Sequence, residues 1–384
     1  MRVALVHDWL TGMRGGERVL DEICAIFPKA DLYTLIHVAG TTSPRIEARR
    51  IVASPLSRIP GVARHYRKLL PLFPWAIERF DLRGYDLVLS TSHAVAKGVR
   101  VPPGAIHVCY CFTPMRYVWD QADAYLGSGV RRALAAPLVS YLRRFDRRTS
   151  TPERVHRFVA ISRCVAERIR HHYGREPGLV FPPVDLDRLK PDPEVLAGGA
   201  PDEAYLLVGG FVPYKREELA LEAFRRLDRP LLVAGDGPTR ARLEAAAPPR
   251  VRFLGRVSDA ELARLYARCR ALVYPQEEDF GIVAVEAQAC GRPVIAYGRG
   301  GATDTVVPLG APAGAAATGI LFEPQTVDAL VAALQSFEAA EAAGAFRPSA
   351  IRDHAQEFAV SRFRAGLLAE LLRAGVRVPP DTSD

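Results

Sequence analysis

A strand–helix–strand pattern covers Ala271–Tyr297 of this 384-residue sequence and constrains the fold more than any other stretch. Its two ends are short apolar runs, one leading to Pro275 and one starting at Pro293. Because proline and glycine bound these runs, they are typical of buried parallel strands. The apolar segment Ile282–Cys290 between them is predicted to be the connecting helix. Two parallel strands joined by a helix predict an α/β sheet.

Two carboxylates, Glu278 and Glu286, lie on either side of the start of this helix, with seven residues between them. An acid on an otherwise apolar helix needs a partner, because burying an unpaired charge is costly. The backbone amides of Gly281, Ile282 and Val283 would face a ligand at the amino terminus of the helix, which favours a phosphate. The spacing therefore favours a nucleotide-sugar site. The alternative is structural: the loop acid caps the helix, and Glu286 pairs with a neighbouring group.

Length and composition limit the class of protein. A chain of 384 residues predicts two domains, and its 49% hydrophobic content is enough for two cores. No apolar run approaches the roughly 18 residues of a membrane span, and no signal-peptide pattern precedes the first strand. The 6 cysteines are scattered and form no CxxC motif, so we expect a reduced cytoplasmic protein without a zinc site or disulfides.

The net charge of +8 is unevenly distributed along the chain. Up to Val180 there are 28 Lys and Arg against 15 Asp and Glu, whereas the remainder has 23 against 28. A basic first half predicts an anionic partner. No nucleic-acid motif is present, so we expect contact with an anionic membrane or acceptor instead. In Ala63–Phe80, basic and aromatic residues alternate as on a membrane-surface segment, or as on two short packed helices with solvated charges. Arg131–Arg148 is predicted to be a basic helix with a solvated face.

Strand-like runs alternate with helical stretches along both halves, which predicts two doubly wound, Rossmann-like domains facing across a cleft. The first half has runs at Arg2–His7, Leu32–Ile36, Asp86–Ser90, Ala105–Tyr110 and Arg157–Ile161. The second half has runs at Tyr205–Val208, Pro230–Ala234, Val251–Leu254, Ala271–Tyr274, Pro293–Tyr297 and Gly319–Phe322. We expect a first domain over residues 1–183, a Pro-, Asp- and Gly-rich linker over 184–202, and a second domain over 203–357. A final helix at about 358–375 is expected to pack back on the first domain.

Candidate ligand-binding residues follow several of these strands. Gly15 and Gly16 form a glycine-rich turn after the first strand, where backbone can approach a phosphate or sugar closely. His93 falls at the carboxyl end of the Asp86–Ser90 strand. Lys215 and Arg216 follow the first strand of the second domain and could offset the charge of a pyrophosphate. The alternatives are a tight turn, a structural histidine and a surface charge pair.

Five sequence motifs are similar to those of a known enzyme family. They are HDWLTGMRGGERVL at His7–Leu20, SHAVAKGV at Ser92–Val99, YCFTPMRYVWD at Tyr110–Asp120, VPYKR at Val212–Arg216 and EDFGIVAVE at Glu278–Glu286. With these motifs, in this order, the sequence resembles the retaining glycosyltransferases of family 4, which have the GT-B fold. It looks most like the branch that builds bacterial O-antigen and exopolysaccharide with mannose or related sugars.

The resemblance implies a role for each candidate. Glu278 would contact the transferred sugar, with His93 beside it, and Glu286 would hold the ribose hydroxyls. Lys215, aided by Arg216, and the amides around Phe280, Gly281, Ile282 and Val283 would hold the pyrophosphate, while Gly15 and Gly16 would approach the phosphates or the acceptor. No metal or other cofactor is implied. Gly210 departs from the family pattern, because many relatives carry Arg there. Asp304, where Glu is commoner, receives no role.

The implied activity is transfer of a hexose from a nucleotide sugar, with mannose from GDP-mannose favoured, to a saccharide acceptor that is lipid-linked. Such a reaction would serve bacterial surface polysaccharide synthesis at the inner face of the cell membrane. Three alternatives stay open. The donor could be a UDP-sugar, the fold could carry an epimerase or hydrolase of sugar nucleotides, or the chain could be a non-catalytic binding module.

Overall fold

The computed structural model describes residues 1–120, 130–312 and 315–377, with the backbone alone at 130–133. The chain forms two compact units. The first comprises Met1–Pro183 together with the chain from Ser361, and the second comprises Val184–Val360. Each unit is an α/β layer structure built around its own parallel sheet.

The first unit contains a seven-stranded sheet in the order β3-β2-β1-β4-β5-β6-β7, and every pair is parallel. The strands are β1 (Val3–Leu10), β2 (Asp31–His37), β3 (Ile51–Ala53), β4 (Leu87–Ser92), β5 (Ile106–Cys111), β6 (Arg157–Ala160) and β7 (Gly178–Leu179). The helices are α1 (Gly15–Ile26), α2 (Pro44–Glu47), α3 (Val62–His65), α4 (Phe73–Ile77), α5 (Val130–Arg148) and α6 (Arg163–Tyr173). All eight residues of β1 are buried, as expected of a central strand covered on both faces.

The second unit contains a six-stranded parallel sheet in the order β10-β9-β8-β11-β12-β13. After the short helix α7 (Pro193–Leu196), the strands are β8 (Tyr205–Gly210), β9 (Leu231–Asp236), β10 (Val251–Gly255), β11 (Leu272–Tyr274), β12 (Val294–Tyr297) and β13 (Gly319–Phe322). The helices are α8 (Glu217–Leu227), α9 (Arg240–Ala245), α10 (Asp259–Arg268), α11 (Ile282–Ala289), α12 (Ala302–Thr305), α13 (Val327–Ala342) and α14 (Pro348–Ala355).

The last helix, α15 (Val360–Arg373), returns to the first unit. The ring of Phe363 packs edge-on against Tyr110 of β5 at 5.6 Å between centroids, and Leu367 and Leu371 are fully buried. Arg364 pairs with Glu22 of α1 at 2.7 Å. The first unit is therefore completed by residues from the end of the described chain.

The predicted α/β architecture is confirmed, and all six predicted strands of the second half form. In the first unit, β1 continues to Leu10, whereas the predicted strand ended at His7, and the short strands β3 and β7 were not predicted. Residues 184–202, predicted to be a linker, pack within the second unit, where Leu189 and Val195 are buried. Ala63–Phe80 forms α3, a 3₁₀ turn at Tyr66–Leu72, and α4.

Candidate functional site

The order of strands in the second unit reverses between β8 and β11, which are neighbours in the sheet. The connections from two adjacent strands leave in opposite directions there, which opens a crevice at their carboxyl ends. The loop after β8 carries Lys215, and the loop after β11 carries Glu278 and leads into α11. The sheet order thus brings together two motifs that are far apart in the sequence.

Lys215 and Glu278 form an ion pair in this crevice. The Nζ of Lys215 lies 3.2 Å from the Oε1 of Glu278, and both side chains are about four-fifths buried. The Lys215 chain also passes over β8, since a Cβ added at Gly209 would lie 3.6 Å from Nζ. A small residue beneath Lys215 leaves the ammonium group at the sheet edge, where it can bind an anion.

Helix α11 begins at this point without a side-chain cap. Its N-cap residue is Gly281, which has φ 82° in the left-handed region and no side chain to offer the first turn. A Cβ added at Gly281 would lie only 2.7 Å from the hydroxyl of Tyr274, so glycine is required here for space as well as for conformation. The first turn of α11 therefore presents backbone amides and partial positive charge, as a phosphate cradle does.

A glycine turn between β12 and α12 holds the loop before α11 in place. The amide of Gly301 donates to the carbonyl of Glu278 at 2.8 Å, and a Cβ at Gly301 would overlap the backbone of Phe280. The Phe280 ring is itself buried, edge-on to Phe358 at 5.7 Å. Phe280 is consequently a packing residue that fixes the position of the cradle, with only its backbone facing the helix start.

Glu286, in the second turn of α11, is only 6% exposed. Its Oε2 accepts from the hydroxyl of Tyr266 at 3.0 Å, and its Oε1 accepts from Nη2 of Arg188 at 3.3 Å. Burial and the nearby Glu286 charge raise the pKa of Tyr266, so the phenol stays a donor. The structural alternative for Glu286, pairing with a neighbour, is thus realised.

Two other positions, one at the end of β8 and one in the loop after it, bear on the expected pyrophosphate contacts. Arg216 has φ 58°, an uncommon conformation for a residue with a side chain, and its guanidinium lies 3.4 Å from Glu218. Gly210 has open space, because an added Cβ would meet only the backbone oxygen of Asp236, at 3.8 Å. Nothing in the backbone therefore requires glycine at position 210.

The first unit has an equivalent crevice between β1 and β4, where its strand order reverses. Asp8, at the end of β1, is fully buried. Its two carboxylate oxygens accept four backbone amides, those of His93, Ala94, Val95 and Ala96, at 2.7–3.0 Å. One carboxylate thus shapes the whole turn after β4, including the position of His93.

His93 lies directly on this carboxylate, with Nδ1 3.2 Å from the Oδ2 of Asp8. Its ring also packs edge-on against Trp9 at 4.4 Å. Burial lowers the pKa of His93, and the Asp8 charge only partly offsets that effect. His93 is therefore a neutral imidazole at pH 7 whose orientation is set by Asp8.

The glycine turn predicted after the first strand lies at the start of α1. A Cβ added at Gly16 would meet the Phe112 ring at 3.4 Å, whereas one at Gly15 would meet nothing within 4 Å. His7 lies below Gly16, with Nδ1 2.7 Å from the Thr91 hydroxyl and Nε2 3.9 Å from Glu17. Gly16 therefore allows close packing, and Gly15 faces open space.

The structure thus groups the candidates by unit. Lys215, Glu278 and the start of α11 share the crevice of the second unit, with Glu286 one turn further along the helix. His93, Gly15 and Gly16 belong to the crevice of the first unit. Sequence reasoning missed Asp8, Tyr266 and Arg188. Only Asp8 carried a signal, since a carboxylate in an apolar strand-like run requires a partner.

Neither a metal centre nor a membrane span emerges from the described residues. Within residues 1–120, 130–312 and 315–377, no three His, Cys, Asp or Glu side chains converge as a metal site requires. None of the helices described there is both long and apolar enough to cross a bilayer. Activity without a metal stays a prediction, as does the cytoplasmic location.

Part of the chain matches a known protein family. Residues 194–353 match the family model for Glycosyl transferases group 1. These residues make up most of the second unit. This match includes both motifs of the second crevice, VPYKR and EDFGIVAVE.

Curated relatives align with only part of this chain. The D-inositol 3-phosphate glycosyltransferase of Mycobacterium marinum is 32% identical over 215 residues, which is 51% of this chain and 45% of the relative. The protein of the same name from Geodermatophilus obscurus is 39% identical over 177 residues, or 38% of each chain. The chain therefore spans less than half the length of these two relatives.

Solved structures match nearly the whole chain in fold. Anabaena Alr3699/HepE, in complex with UDP, has a TM-score of 0.70 at 18% identity, and the match covers 97% of this chain and 100% of that one. Sucrose-phosphate synthase from Thermosynechococcus elongatus has a TM-score of 0.69 at 21% identity, covering 98% and 100%. Both units together thus have the GT-B fold.

Proposed function

We propose that this protein is a retaining glycosyltransferase that moves a hexosyl residue from a nucleotide sugar to a saccharide acceptor. The observation that carries the proposal is the juxtaposition of Lys215, Glu278 and the uncapped start of α11 at one sheet edge. An ammonium and helix amides suit a diphosphate, and a carboxylate beside them suits sugar hydroxyls. The group 1 family match of residues 194–353 supports the same activity.

In this proposal, the diphosphate replaces Glu278 as the partner of Lys215. The Lys215 ammonium lies 3.2 Å from Oε1 of Glu278. A doubly charged diphosphate at the start of α11 competes for the ammonium and leaves the Glu278 carboxylate to accept hydroxyls of the transferred sugar. Lys215 and the amides of Gly281, Ile282 and Val283 then stabilise the negative charge that develops on the leaving group. Arg216 would contribute only after leaving Glu218.

The first unit would contribute the surroundings of the sugar. His93 is proposed to lie beside it as a neutral hydrogen-bonding group, held by Asp8, and Gly15 and Gly16 would let backbone approach the ligand closely. The lowered pKa of His93 fits this role, because a neutral imidazole can both donate and accept a hydrogen bond. These roles rest on the fold and on the resemblance of the motifs.

The proposed chemistry takes place on one face of the sugar. The bond between the anomeric carbon and the phosphate oxygen breaks, and the bond to the acceptor oxygen forms on the same face. The departing phosphate oxygen takes the proton of the acceptor hydroxyl, so the anomeric configuration is retained. In this scheme the side chains bind and orient the donor, and exclude water that would compete as acceptor.

The base and sugar of the donor divide the proposal into two versions. GDP-mannose follows from the resemblance to O-antigen and exopolysaccharide enzymes. A UDP-sugar is supported by Anabaena Alr3699/HepE, whose structures contain UDP, or UDP-glucose. A thermal-shift screen with GDP, UDP, ADP and CDP separates them, because a ligand that binds only the folded state raises the melting temperature.

We also propose that the acceptor is lipid-linked, that the product is a bacterial surface polysaccharide, and that the first unit contacts an anionic membrane. The described surface of that unit exposes large apolar side chains close in sequence to basic residues. Those around α4 are Ile59, Leu72 and Trp75, accompanied by Arg58, Arg64, Arg67 and Lys68. Apolar side chains for the lipid interface and cations for its anionic headgroups are the combination that such contact needs.

Transfer from a radiolabelled donor tests the activity. We expect Lys215→Ala and Glu286→Ala to lower kcat/KM by about 10²-fold or more, because each removes a charged contact to the donor. Lys29→Ala, an exposed lysine at the opposite edge of the first sheet, is the control and should leave transfer unchanged. Undiminished transfer by folded Lys215→Ala would contradict the site assignment.

The same assay separates the alternatives. Incubation of donor without acceptor reveals an epimerase by formation of an isomeric nucleotide sugar, and a hydrolase by release of free sugar. A non-catalytic binding module would show a thermal shift with nucleotide but no turnover with any acceptor. Product formation that depends on a saccharide acceptor is the expected result.

A further inference from the structure

The environment of Glu286 contains a cation that the sequence motifs did not indicate. Nη2 of Arg188 donates to its Oε1 at 3.3 Å, while the hydroxyl of Tyr266 donates to its Oε2 at 3.0 Å. Arg188 comes from the stretch 184–202, which the sequence predicted to be a linker. The proposed ribose-binding carboxylate is therefore half of an Arg–Glu pair.

Arg188 is held rigidly relative to α11. Arg352 of α14 donates to the carbonyl of Leu186 at 3.2 Å and to that of Leu189 at 2.7 Å. The same guanidinium donates to the carbonyl of Ala289, the last residue of α11. One side chain thus anchors both the segment that carries Arg188 and the helix that carries Glu286, which fixes the geometry of the pair.

Arg188 also has donors that the protein does not use. Its Nε and Nη1 are buried, and neither has a hydrogen-bond partner among the described residues. Burying guanidinium N–H groups without acceptors is costly, and such groups are rare in folded proteins. Their position beside Glu286 indicates an acceptor brought by a ligand.

A vicinal diol has the chemistry that matches this pair. A carboxylate only accepts hydrogen bonds and a guanidinium only donates them, whereas each hydroxyl does both. A phosphate fits less well, because the Glu286 carboxylate would repel it. Glu286 also lies four residues beyond the first residue of α11, roughly 6 Å along the helix axis from the proposed phosphate cradle.

The geometry points to Arg188 as a specificity-determining residue that, together with Glu286, binds the ribose 2′,3′-diol of the nucleotide. This inference rests on the proposed function and extends it, since it assigns part of nucleotide recognition to residues before the second sheet begins. The hydroxyls donate to Glu286 and accept from Nε and Nη1 of Arg188. The pair thereby selects ribonucleotides over deoxyribonucleotides.

Calorimetric titration with UDP and GDP, and with their 2′-deoxy and 3′-deoxy forms, tests the inference. The wild type is expected to bind the ribonucleotide about tenfold more tightly than either deoxy form, roughly the effect of one hydrogen bond to a charged group. Arg188→Met should weaken ribonucleotide binding about tenfold and deoxynucleotide binding less, because a deoxy form has only one of the two hydroxyls that contact Arg188. The ribo-to-deoxy ratio then falls below that of the wild type, and Glu286 alone keeps it above one. Arg188→Lys should restore part of the ratio, because a single ammonium replaces the planar guanidinium.

Lys190→Met is the matched control, because it removes an exposed cation two residues from Arg188 in the same segment. It should keep both the melting temperature and the ribo-to-deoxy ratio of the wild type. If Arg188→Met does not fold, the ratio in Arg188→Lys decides. An unchanged ratio in the Arg188 variants, or equal loss of affinity for both nucleotide types, would overturn the inference.

The outcomes for the wild type separate this inference from the proposed function. Tight binding of nucleotides without preference for the ribo form overturns the role of the Arg188–Glu286 pair and leaves the transferase proposal intact. Failure to bind either UDP or GDP in any form overturns the proposed function, and the inference with it.

Discussion

Asp8 shapes the candidate site of the first unit, although we assign it no contact with a ligand. Its buried carboxylate accepts four amides of the turn that carries His93. A single carboxylate therefore supplies the acceptors that the four backbone amides after β4 would otherwise lack. This also explains how β1 can run three residues beyond its predicted end at His7, since the Asp8 charge is fully satisfied inside the unit.

Replacing Asp8 by Asn should lower the stability of the first unit. An amide offers one acceptor oxygen, and its NH₂ group would face two backbone donors, so we expect a loss of about 3 kcal/mol. The 3 tryptophans of the sequence, Trp9, Trp75 and Trp119, all lie in the first unit. Urea unfolding followed by tryptophan fluorescence therefore measures this unit. Asp86→Asn, at an exposed carboxylate of the same unit, should change the midpoint little.

His107, in β5, provides a pH-dependent prediction for the same unit. Burial lowers its pKa to about 3, and its ring lies between the Ser90 hydroxyl at 2.8 Å and the carbonyl of Arg154 at 2.6 Å. In the unfolded chain this histidine binds a proton near pH 6.5, whereas in the folded chain it binds one only near pH 3. Stability is therefore present at neutral pH and falls as the pH drops through that window.

Between pH 7 and pH 5, His107 should reduce the free energy of unfolding by about 2 kcal/mol. His107→Gln should remove that part of the pH dependence, as measured by tryptophan fluorescence in urea at both pH values. Because His93 is present in both proteins, its own contribution of the same sign cancels in the comparison. Equal pH dependence of wild type and variant would show that His107 is protonated in the folded state.

At the scale of elements, the long strands followed from sequence, but two short ones did not. Apolar runs bounded by Gly and Pro identified all six strands of the second sheet. The strands β3 and β7 have only 3 and 2 residues, too few for any periodicity to be visible, whereas the 3-residue strand β11 could be predicted because its apolar run leads directly to Pro275. The packing of residues 184–202 was missed for a different reason: it depends on Arg352, some 160 positions away, and composition carries no information about such contacts.

The candidate site shows the same limit. The spacing of Glu278 and Glu286 around a helix start could be predicted, because it is a property of one continuous segment. The 3.2 Å pair between Lys215 and Glu278 depends on β8 lying next to β11 in the sheet, which strand order alone provides. Tyr266 and Arg188, the partners of Glu286, are likewise contributed by other elements and left no local signal.

The end of β8 allows a prediction at the scale of elements, because Gly210 stands where many relatives in the family that the sequence resembles have Arg. The space at Gly210 admits a side chain, and the end of β8 lies at the same edge as Lys215. Gly210→Arg is therefore expected to fold normally and to tighten nucleoside diphosphate binding several-fold, by adding a cation for the phosphates. Gly210→Ala, which adds volume without charge, is the control. Titration calorimetry measures both, and weaker binding by the arginine variant would place position 210 away from the phosphates.

At the scale of the whole molecule, the basic first half of the chain predicts binding to anionic membranes. Vesicles containing phosphatidylglycerol should retain the protein in a sedimentation assay, and vesicles of pure phosphatidylcholine should not. Binding should fall as salt is raised, because added ions screen the basic surface. Leu72→Ala should weaken binding, whereas Leu196→Ala in the second unit, at the same 47% exposure, should not. Equal effects of the two variants would argue against a membrane surface around α4.

The return of α15 to the first unit sets an order for assembly during synthesis. The first unit starts to emerge from the ribosome before any other part of the chain, yet the surface around Tyr110 and Glu22 stays uncovered until Phe363 and Arg364 have been made. The second unit, Val184–Val360, is contiguous in sequence, so it can fold before the first unit is complete. A nascent chain stalled before Phe363 would thus hold a finished carboxy-proximal half and an unfinished amino-terminal one, the reverse of the usual vectorial sequence.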